Sequence, residues 1–189
     1  MKNSLRESML EKRNSLTKDE ISKKSIKIKE NLFSLDEFKK SKVVMFYVSF
    51  NNEIYTHDMI KESLKSKTIV VPKVANNVIE PSIIIDFDQL IPSGKFGILE
   101  PIEAMKINPK NIQIVIVPAI AFDKNGHRIG YGLGYYDKFL AKVPKALKIG
   151  LAFDFQVEEK LPTEGHDAPV DMIITDKEII RIKSQPSHQ

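Results

Sequence analysis

Short runs rich in β-branched residues alternate with helical patterns along this chain, and that alternation restricts the fold more than any other feature. Such runs are typical of strands that are buried on both faces, as happens when helices cover both sides of a parallel sheet. The helical segments between them provide the crossovers that parallel strands require. The predicted strands cover residues 43–48, 68–74, 83–86, 112–117, 146–151 and 172–175, with an edge strand at 178–182.

The predicted class is therefore α/β, with a mostly parallel sheet flanked by helices in an open, Rossmann-like layered architecture. A length of 189 residues suits a single domain, which we assign to residues 1–183, and we expect the polar residues 184–189 to form a flexible tail. Ligands of such sheets bind beyond the carboxyl ends of the strands. The chemistry is expected just after Val48, Val74, Val117 and Leu151.

The N-terminal third predicts two helices. Thr17 and Glu20 are spaced as a capping box, which opens the second helix. A further short helix is expected from Thr56, as its N-cap, to Lys65. The inward positions of the two N-terminal helices recur at helical spacing and are Leu5, Met9, Arg13, Leu16, Ile21, Ser25, Ile28 and Leu32.

The absence of cysteine removes several functional classes. A chain with 0 cysteines holds no disulfide, thiolate zinc site or cysteine nucleophile. Its apolar runs are shorter than a bilayer span needs, and the charged N-terminus lacks the apolar stretch of a signal peptide. We therefore expect a cytoplasmic protein that does not associate with membranes.

The formal net charge of +4 favours anionic partners. ATP, a carboxylate-bearing metabolite and RNA all fit that charge. The basic residues are scattered, and no aromatic platform for stacking single strands is evident, so no nucleic-acid partner is expected.

A glycine-rich segment follows the strongest predicted strand. Gly130, Gly132 and Gly134 would let the backbone approach phosphate oxygens with its N–H groups turned inward. Arg128 supplies a forked, permanently charged donor for phosphate, and Asp137 supplies an oxygen ligand for Mg²⁺. The spacing matches neither the P-loop nor the dinucleotide-binding fingerprint. By these rules alone, the segment is either an anion site or a surface hairpin whose glycines serve turn geometry.

This segment resembles the signature of the 5-formyltetrahydrofolate cyclo-ligase family, whose members are also called methenyltetrahydrofolate synthetases. The similarity begins at Val117 and ends at Asp137. It also extends, in shorter pieces, over nearly the whole chain. Those pieces are Lys2 with Leu5 and Arg6, residues 52–56 around Glu53, residues 97–101, and residues 167–171 followed by Ile174 and Thr175.

The resemblance implies a reaction in which ATP and 5-formyltetrahydrofolate give 5,10-methenyltetrahydrofolate, ADP and phosphate, with Mg²⁺ as the cofactor. It also implies catalytic roles for Arg128, Lys2 and Arg6, and metal ligation by Asp137 and Asp171. The implied ATP contacts are Lys2, Arg6, Arg128, Ile129, Gly130, Tyr131, Gly132, Leu133, Gly134, Tyr135 and Tyr136. The implied folate contacts are Val48, Glu53, Tyr131, Gly132, Leu133, Gly134 and Tyr135. We expect a monomer.

Leu133 departs from the family pattern, because many members carry Gly or Lys at this position. Leucine brings no positive charge, so Arg128, Lys2 and Arg6 are the expected charge neutralisers. At the folate end, we hypothesise that Glu53 accepts two hydrogen bonds from a pterin N–H edge. Aromatic side chains near predicted strand ends, which can stack on a pterin ring, are Tyr47, Phe50, Phe122 and Tyr131.

Two other functions compete with the cyclo-ligase. One is a non-catalytic relative that binds nucleotide or RNA, although the intact Lys2, Arg6, Glu53 and Asp137 favour a catalyst. The other is a different ATP-using or sugar-phosphate enzyme on a similar sheet, since a fold does not by itself determine a function.

Overall fold

The computed structural model describes residues 1–165 and 167–183. The helices are α1 (Lys2–Asn14), α2 (Lys18–Ser34), α3 (Asp36–Lys40), α4 (His57–Ser63) and α5 (Tyr135–Leu140), and short 3₁₀ turns cover Phe87–Gln89, Pro109–Asn111 and Asp154–Gln156. The strands of the first half are β1 (Val43–Met45), β2 (Thr68–Ala75), β3 (Val78–Ile84), β4 (Leu90–Ser93) and β5 (Ile98–Pro101). The remaining strands are β6 (Ile114–Val117), β7 (Ala121–Asp123), β8 (Arg128–Ile129), β9 (Leu147–Leu151), β10 (Val157–Glu158), β11 (Met172–Ile174) and β12 (Ile179–Arg181).

A seven-stranded sheet in the order β12-β11-β9-β6-β1-β2-β3 organises the chain. Its central strands β11, β9, β6, β1 and β2 pair in parallel, while β12 and β3 add antiparallel edges. From β1 the chain moves outward to β2 and β3, and it then returns to β6 on the other side of β1. The order therefore reverses between β1 and β6, which is the switch point where open α/β sheets hold their ligands.

Both faces of the sheet are covered, as the near-continuous apolar strands predict. Successive strand residues point to opposite faces. Ile114 and Ile116 of β6 belong to the cluster that includes α2 and α3, whereas Val115 and Val117 pack in the cluster that includes α5. The predicted mostly parallel sheet between helical layers is confirmed.

The two N-terminal helices form where the sequence predicts them. Thr17 Oγ1 accepts from Glu20 N, and Glu20 Oε2 accepts from Thr17 N at 2.7 Å, which completes the capping box of α2. Ile21, Ser25 and Ile28 are buried, as is Leu32. Helix α1 docks separately, because Met9 packs in a third cluster with residues of β7, β8 and their flanking loops.

The first strand is shorter than residues 43–48, although those residues remain largely buried. Phe46 N still donates to Val70 O of β2 at 2.9 Å, but beyond Phe46 the backbone bonds a loop. Thr56 Oγ1 donates to Tyr47 O at 2.7 Å and accepts from Ser49 N at 2.9 Å. Thr56 stands at the N-cap of α4, but its hydroxyl makes no cap bond because it is used by that loop. The predicted capping role of Thr56 is therefore wrong.

The predicted strand at residues 83–86 begins too late and runs too far. The strand is β3, which forms a hairpin with β2 through Asn76 and Asn77, both of which have positive φ angles of 51° and 60°. Asparagine tolerates this conformation in a tight hairpin, and the Asn-Asn pair is the turn signal that sequence reasoning missed. Ile83 N also donates to Met105 O at 2.8 Å, and Met105 N donates to Ser82 Oγ at 3.0 Å.

The expected tail at 184–189 lies outside the described residues. Over the described ranges 1–165 and 167–183, no helix combines the length and apolarity needed to cross a bilayer.

Gly150 in β9 provides a test of how tightly the sheet packs. A Cβ atom on Gly150 would stand 2.4 Å from Cζ of the fully buried Phe122, so the ring or the strand would have to shift. Gly150→Ala should lower the free energy of unfolding by about 1–3 kcal/mol, measured by denaturant titration. Gly165→Ala is the matched control, because a Cβ there meets nothing within 4 Å. Equal stability of the two variants would contradict the packing account.

Candidate active site

A small cleft opens at the switch point of the sheet, beyond the carboxyl ends of β1, β6 and β9. Its lining residues are Arg13, Tyr47, Glu53, Ile54, Pro118, Ala119, Leu151 and Gln156. Three of the four strand ends expected to carry chemistry therefore meet here. Val74 does not, because β2 continues into its hairpin and Val74 N donates to Glu100 Oε1 at 3.0 Å.

A buried carboxylate shapes the turn that precedes the glycine-rich segment. Asp123, at 0% exposure, accepts hydrogen bonds from the backbone N–H groups of Asn125, His127 and Leu161 at 2.9–3.0 Å. Gly126 in that turn has φ +86°, and a Cβ would stand 2.4 Å from Val170 O. The turn therefore requires glycine, and it returns the chain along β8 so that Arg128 comes back to the site.

Two of the three cations expected to neutralise phosphate lie against the glycine-rich segment. Arg6 Nε donates to Gly130 O at 2.9 Å, and its Nη2 would lie 3.6 Å from a Cβ on Gly132. Arg128 Nη1 would lie 3.6 Å from a Cβ on Gly130. Lys2, at the start of α1, pairs with residues of the loop that follows β10: its Nζ lies 3.3 Å from Asp167 Oδ2 and 3.2 Å from Glu164 Oε1.

Arg128 is the most deeply buried of these cations, with a side chain 6% exposed. Its Nη2 donates to Asp137 Oδ1 at 2.6 Å, and Ala168 N donates to the same oxygen at 3.3 Å. Burial lowers the pKa of the guanidinium, and the negative charges of Asp137 and Asp167 act against that shift. Within the described part of the chain, Arg128 Nε is buried without a hydrogen-bond partner.

Glu53 is the buried carboxylate at the other end of the site, at 8% exposure. It follows a turn in which Asn51 has φ +51°, and its Oε2 accepts from Phe50 N at 3.0 Å. Tyr131 of the glycine-rich segment donates its hydroxyl to Glu53 Oε1 at 2.9 Å. Arg13 Nη2 in turn donates to the Tyr131 hydroxyl at 2.8 Å. Burial raises the pKa of Glu53, and these hydrogen bonds together with the charge of Arg13 limit the rise.

The tyrosines around Glu53 stay protonated at neutral pH. Burial and the charge of Glu53 raise the pKa of Tyr131 to about 12. The residue is 45% exposed, and its hydroxyl is hydrogen-bonded by both Arg13 and Glu53. Burial and Glu53 likewise raise the pKa values of Tyr47 and Tyr136. The Tyr136 hydroxyl is buried without a hydrogen-bond partner among residues 1–165 and 167–183.

The other residues expected to bind ATP or folate occupy varied environments. Gly134 has φ +67° and precedes α5, while Leu133 is 63% exposed. The side chains of Val48 and Ile129 lie in core clusters, so these residues face the site only through their backbones. Tyr135 is half-buried against the second cluster.

Two of the residues expected to contact ligand lie elsewhere. Phe122 is fully buried against Gly150 and cannot stack on a bound ring, so that expectation is wrong. Asp171 lies at the amino ends of β9 and β11, where its Oδ2 accepts from Lys148 N at 2.8 Å. Its recorded bonds join it to Lys148 and Ile182 and not to Asp137.

Sequence reasoning missed two residues of the site. The sequence pattern places Arg13 on the inner face of a helix. A charged residue at an otherwise apolar position of that face is the signal that could have identified it. Asp167 was quoted within a matching piece, without a role. It contacts Lys2, and its charge acts on Arg128.

The donor set around Asp137 fits a magnesium ion held jointly with phosphates. Mg²⁺ is usually bound through one or two carboxylates plus substrate phosphates and water. Both recorded hydrogen bonds to Asp137 use Oδ1, so Oδ2 retains its lone pairs. Among the described residues no group of three or more His, Asp or Glu side chains forms a complete protein cage.

Comparisons with known proteins agree with this geometry. Residues 1–176 match the model of the 5-formyltetrahydrofolate cyclo-ligase family. The chain is 35% identical over 175 residues to the 5-formyltetrahydrofolate cyclo-ligase of Mycoplasma genitalium, covering 92% of this chain and 96% of that protein. It is similar to the NMR structure of Aquifex aeolicus 5,10-methenyltetrahydrofolate synthetase, with a TM-score of 0.88, 40% identity and coverage of 100% and 96%. The Mycoplasma pneumoniae synthetase structure gives a TM-score of 0.77 at 29% identity, with coverage of 93% and 98%.

Fold and site together define an α/β enzyme whose cleft, lined by the buried Glu53 and Arg13, lies at the switch point of a parallel sheet. The chain belongs to the 5-formyltetrahydrofolate cyclo-ligase family.

The raised pKa of Glu53 has a measurable effect on stability. The folded state holds this proton more tightly than the unfolded state, so stability falls as pH rises from about 4.5 through the raised pKa. Glu53→Gln lacks this loss, and its free energy of unfolding relative to the unmodified protein should therefore increase with pH over that window. Denaturant titrations between pH 4 and 8 measure this, with the exposed Glu103→Gln as control. A pH-independent difference would show that Glu53 is not destabilised by burial.

Proposed function

We propose that the protein uses ATP and Mg²⁺ to convert 5-formyltetrahydrofolate to 5,10-methenyltetrahydrofolate, with release of ADP and phosphate. One observation supports this most strongly: Arg6 and Arg128 lie against the glycine-rich segment, whose Tyr131 also bonds the buried Glu53. Lys2 pairs with Asp167, whose charge acts on Arg128. A phosphate-binding end and a carboxylate end thus share one wall.

The cationic end suits a triphosphate. Phosphoryl transfer depends mainly on positioning and on neutralising charge at the transferred group. Arg128 is held by Asp137, while its Nε and Nη1 leave donors for phosphate oxygens. Arg6 is anchored through Nε and Nη1, so its Nη2 beside Gly132 can contact the nucleotide. We assign the backbone of residues 129–134 to the same nucleotide.

Asp137 is the residue we assign to Mg²⁺, which when bound would neutralise charge on the transferring phosphoryl group. Asp171 remains a predicted metal ligand.

The carboxylate end suits the pterin. Glu53 is buried and already accepts two hydrogen bonds, yet each carboxylate oxygen has further acceptor capacity. A pterin N–H edge that donates to it would compensate the cost of burying its charge. Tyr131, with an exposed ring, is the aromatic side chain we assign to stacking.

The chemistry follows from the weakness of a formamide as an electrophile. The formyl oxygen attacks the γ-phosphorus, forming an O–P bond as the bond to ADP breaks. N10 then attacks the formyl carbon and gives up its proton. The C–O bond breaks, and phosphate leaves with the former formyl oxygen. The cations stabilise the charge that develops on the phosphoryl oxygens.

An absorbance assay of methenyltetrahydrofolate formation tests the proposal. Product should form only when ATP, Mg²⁺ and 5-formyltetrahydrofolate are all present. Nucleotide binding without turnover would favour a non-catalytic relative. Product formed without ATP would refute the phosphorylation step.

Arg128→Ala should lower kcat/KM by about 100-fold or more, because it removes a preorganised donor to the transferring group. The exposed Lys142→Ala, which loses the same charge elsewhere, is the control and should retain activity. Circular dichroism and the unfolding midpoint establish whether the variant is folded. A folded Arg128→Ala enzyme with most of its activity would show that the phosphate site is misplaced.

Asp137→Ala should raise the Mg²⁺ concentration needed for half-maximal activity. The exposed Asp58→Ala makes the same change away from the site and serves as the control. A magnesium titration that matches the unmodified enzyme would remove Asp137 from the metal site.

The cytoplasmic location, the monomeric state and the absence of a nucleic-acid partner remain predictions. Size-exclusion chromatography with light scattering tests the second of these directly.

A further inference from the structure

Arg13 is a buried arginine that lines the cleft, and none of the roles described above assigns it to the reaction. The residue is 5% exposed, and its Nε is buried without a partner among the described residues. Withdrawing a guanidinium from water is costly unless it is paired. Its recorded side-chain hydrogen bond runs from Nη2 to the Tyr131 hydroxyl at 2.8 Å, and Cζ lies 5.8 Å from the centroid of the same ring.

The chemistry of these groups gives the hydrogen bonds a direction. An arginine only donates, and an ionised carboxylate only accepts. A tyrosine hydroxyl has one proton, so once it accepts from Arg13 it must use that proton toward Glu53. The chain therefore runs from Arg13 through Tyr131 to Glu53, with distances of 2.8 and 2.9 Å. Tyr131 cannot rotate its proton away while Arg13 is in place.

Helix α1 holds the glycine-rich segment at two consecutive residues. Arg6 bonds Gly130 O, and Arg13 bonds the side chain of Tyr131. Seven residues span about two helical turns, so both arginines project from the same side of α1. Met9, between them in sequence, is buried against Ile129 and its neighbours and anchors that side. The segment's position relative to Glu53 thus depends on Arg13, whereas its position relative to the nucleotide depends on Arg6.

We propose that Arg13 is a positioning residue for the folate end of the site, which orients the Tyr131 hydroxyl toward Glu53 and maintains Glu53 as a charged acceptor for the pterin. This inference rests on the proposed function. Arg13 need not touch the substrate, because it acts through Tyr131.

The charges around Glu53 support this role. The groups that face it are Arg13 of α1, Tyr131 of the glycine-rich segment, Tyr47 after β1 and Tyr136 of α5. Of these, Arg13 carries the positive charge. Burial raises the pKa of Glu53, and the charge of Arg13 opposes that rise. Loss of this charge would let Glu53 take up a proton at a higher pH.

Arg13→Met tests the proposal while keeping a side chain of similar length. The KM for 5-formyltetrahydrofolate should rise about ten-fold or more, as expected for loss of a charged hydrogen-bond partner, while the KM for ATP stays within about two-fold. The acid limb of kcat/KM for the folate should move to higher pH. Calorimetric binding of 5-formyltetrahydrofolate without ATP should show the same loss and the same shift. Lys12→Met is the matched control, because Lys12 directly precedes Arg13 in α1 and is exposed. It should change neither the binding of 5-formyltetrahydrofolate nor the pH profile.

Two further variants separate positioning from mere structural support. In a Tyr131→Phe background, Arg13→Met should change the KM for 5-formyltetrahydrofolate at neutral pH little further, because the hydrogen-bonded route to Glu53 is already cut; additive effects on that KM would overturn the proposal. Arg13→Lys restores a positive charge and should return the acid limb toward its original pH. If Arg13→Met does not fold, Arg13→Lys tests the proposal instead. Its KM for 5-formyltetrahydrofolate should be higher than that of the unmodified enzyme, while the acid limb of kcat/KM should stay near its original pH.

The outcomes distinguish this inference from the proposed function. If the unmodified enzyme makes no methenyltetrahydrofolate from ATP, Mg²⁺ and 5-formyltetrahydrofolate, the proposed function fails. If that enzyme is active and Arg13→Met leaves folate binding and the pH profile unchanged, the role of Arg13 alone is refuted.

Discussion

The buried carboxylate of Asp123 is the interaction on which the site's geometry depends. It satisfies three backbone N–H groups, two within its own turn and one from Leu161. Those bonds hold β7 and β8 together at a tight turn, and they connect that turn to the distant segment that follows β10. The direction in which the chain leaves this turn sets the path of Arg128 and of the glycines after it. The glycine-rich segment is thus positioned by a buried carboxylate that lies outside it.

Burial of charge is the recurring theme of the site. Arg13, Glu53 and Arg128 are each largely withdrawn from water, and each is only partly compensated by its neighbours. Well-packed apolar residues at these positions would avoid the desolvation cost of the buried charges. Such charged groups are expected where a polar ligand completes the set of partners. Arg13 and Glu53 line the cleft, and Arg128 lies beside the glycine-rich segment whose Tyr131 bonds Glu53.

Much of the fold follows from local patterns. The apolar runs of β2, β6, β9 and β11, together with the capping box of α2, each depend on residues close in sequence. The β4–β5 hairpin and the small sheet of β7, β8 and β10 were missed, because their strands are only two to four residues long. In addition, β10 pairs with a strand that is distant in sequence. The hydroxyl of Thr56 illustrates the same limit. Its cap-like position is local, but its partners at Tyr47 and Ser49 come from a turn whose path the pattern does not specify.

The site residues that belong to a sequence motif could be predicted. Those that reach the site only through the three-dimensional packing of the chain could not. Arg128, the alternating glycines and Asp137 lie within one contiguous segment, and Lys2 and Arg6 matched a short N-terminal element. Arg13 reaches the glycine-rich segment because of the way α1 docks on β7 and β8. No spacing in the sequence reveals that docking. Asp171 shows the converse, since a matching piece of sequence singles it out while its carboxylate bonds the backbone at the far end of the strands.

The hydrogen bonds between β3 and Met105 have a consequence for the protein in concentrated solution. An antiparallel strand at the margin of a sheet normally offers a row of unpaired peptide groups to other chains. Here Ser82 and Ile83 already bond Met105, so part of that row is occupied from within the molecule. Strand addition by a neighbouring copy would first have to displace this segment, which protects the sheet against growth at that margin.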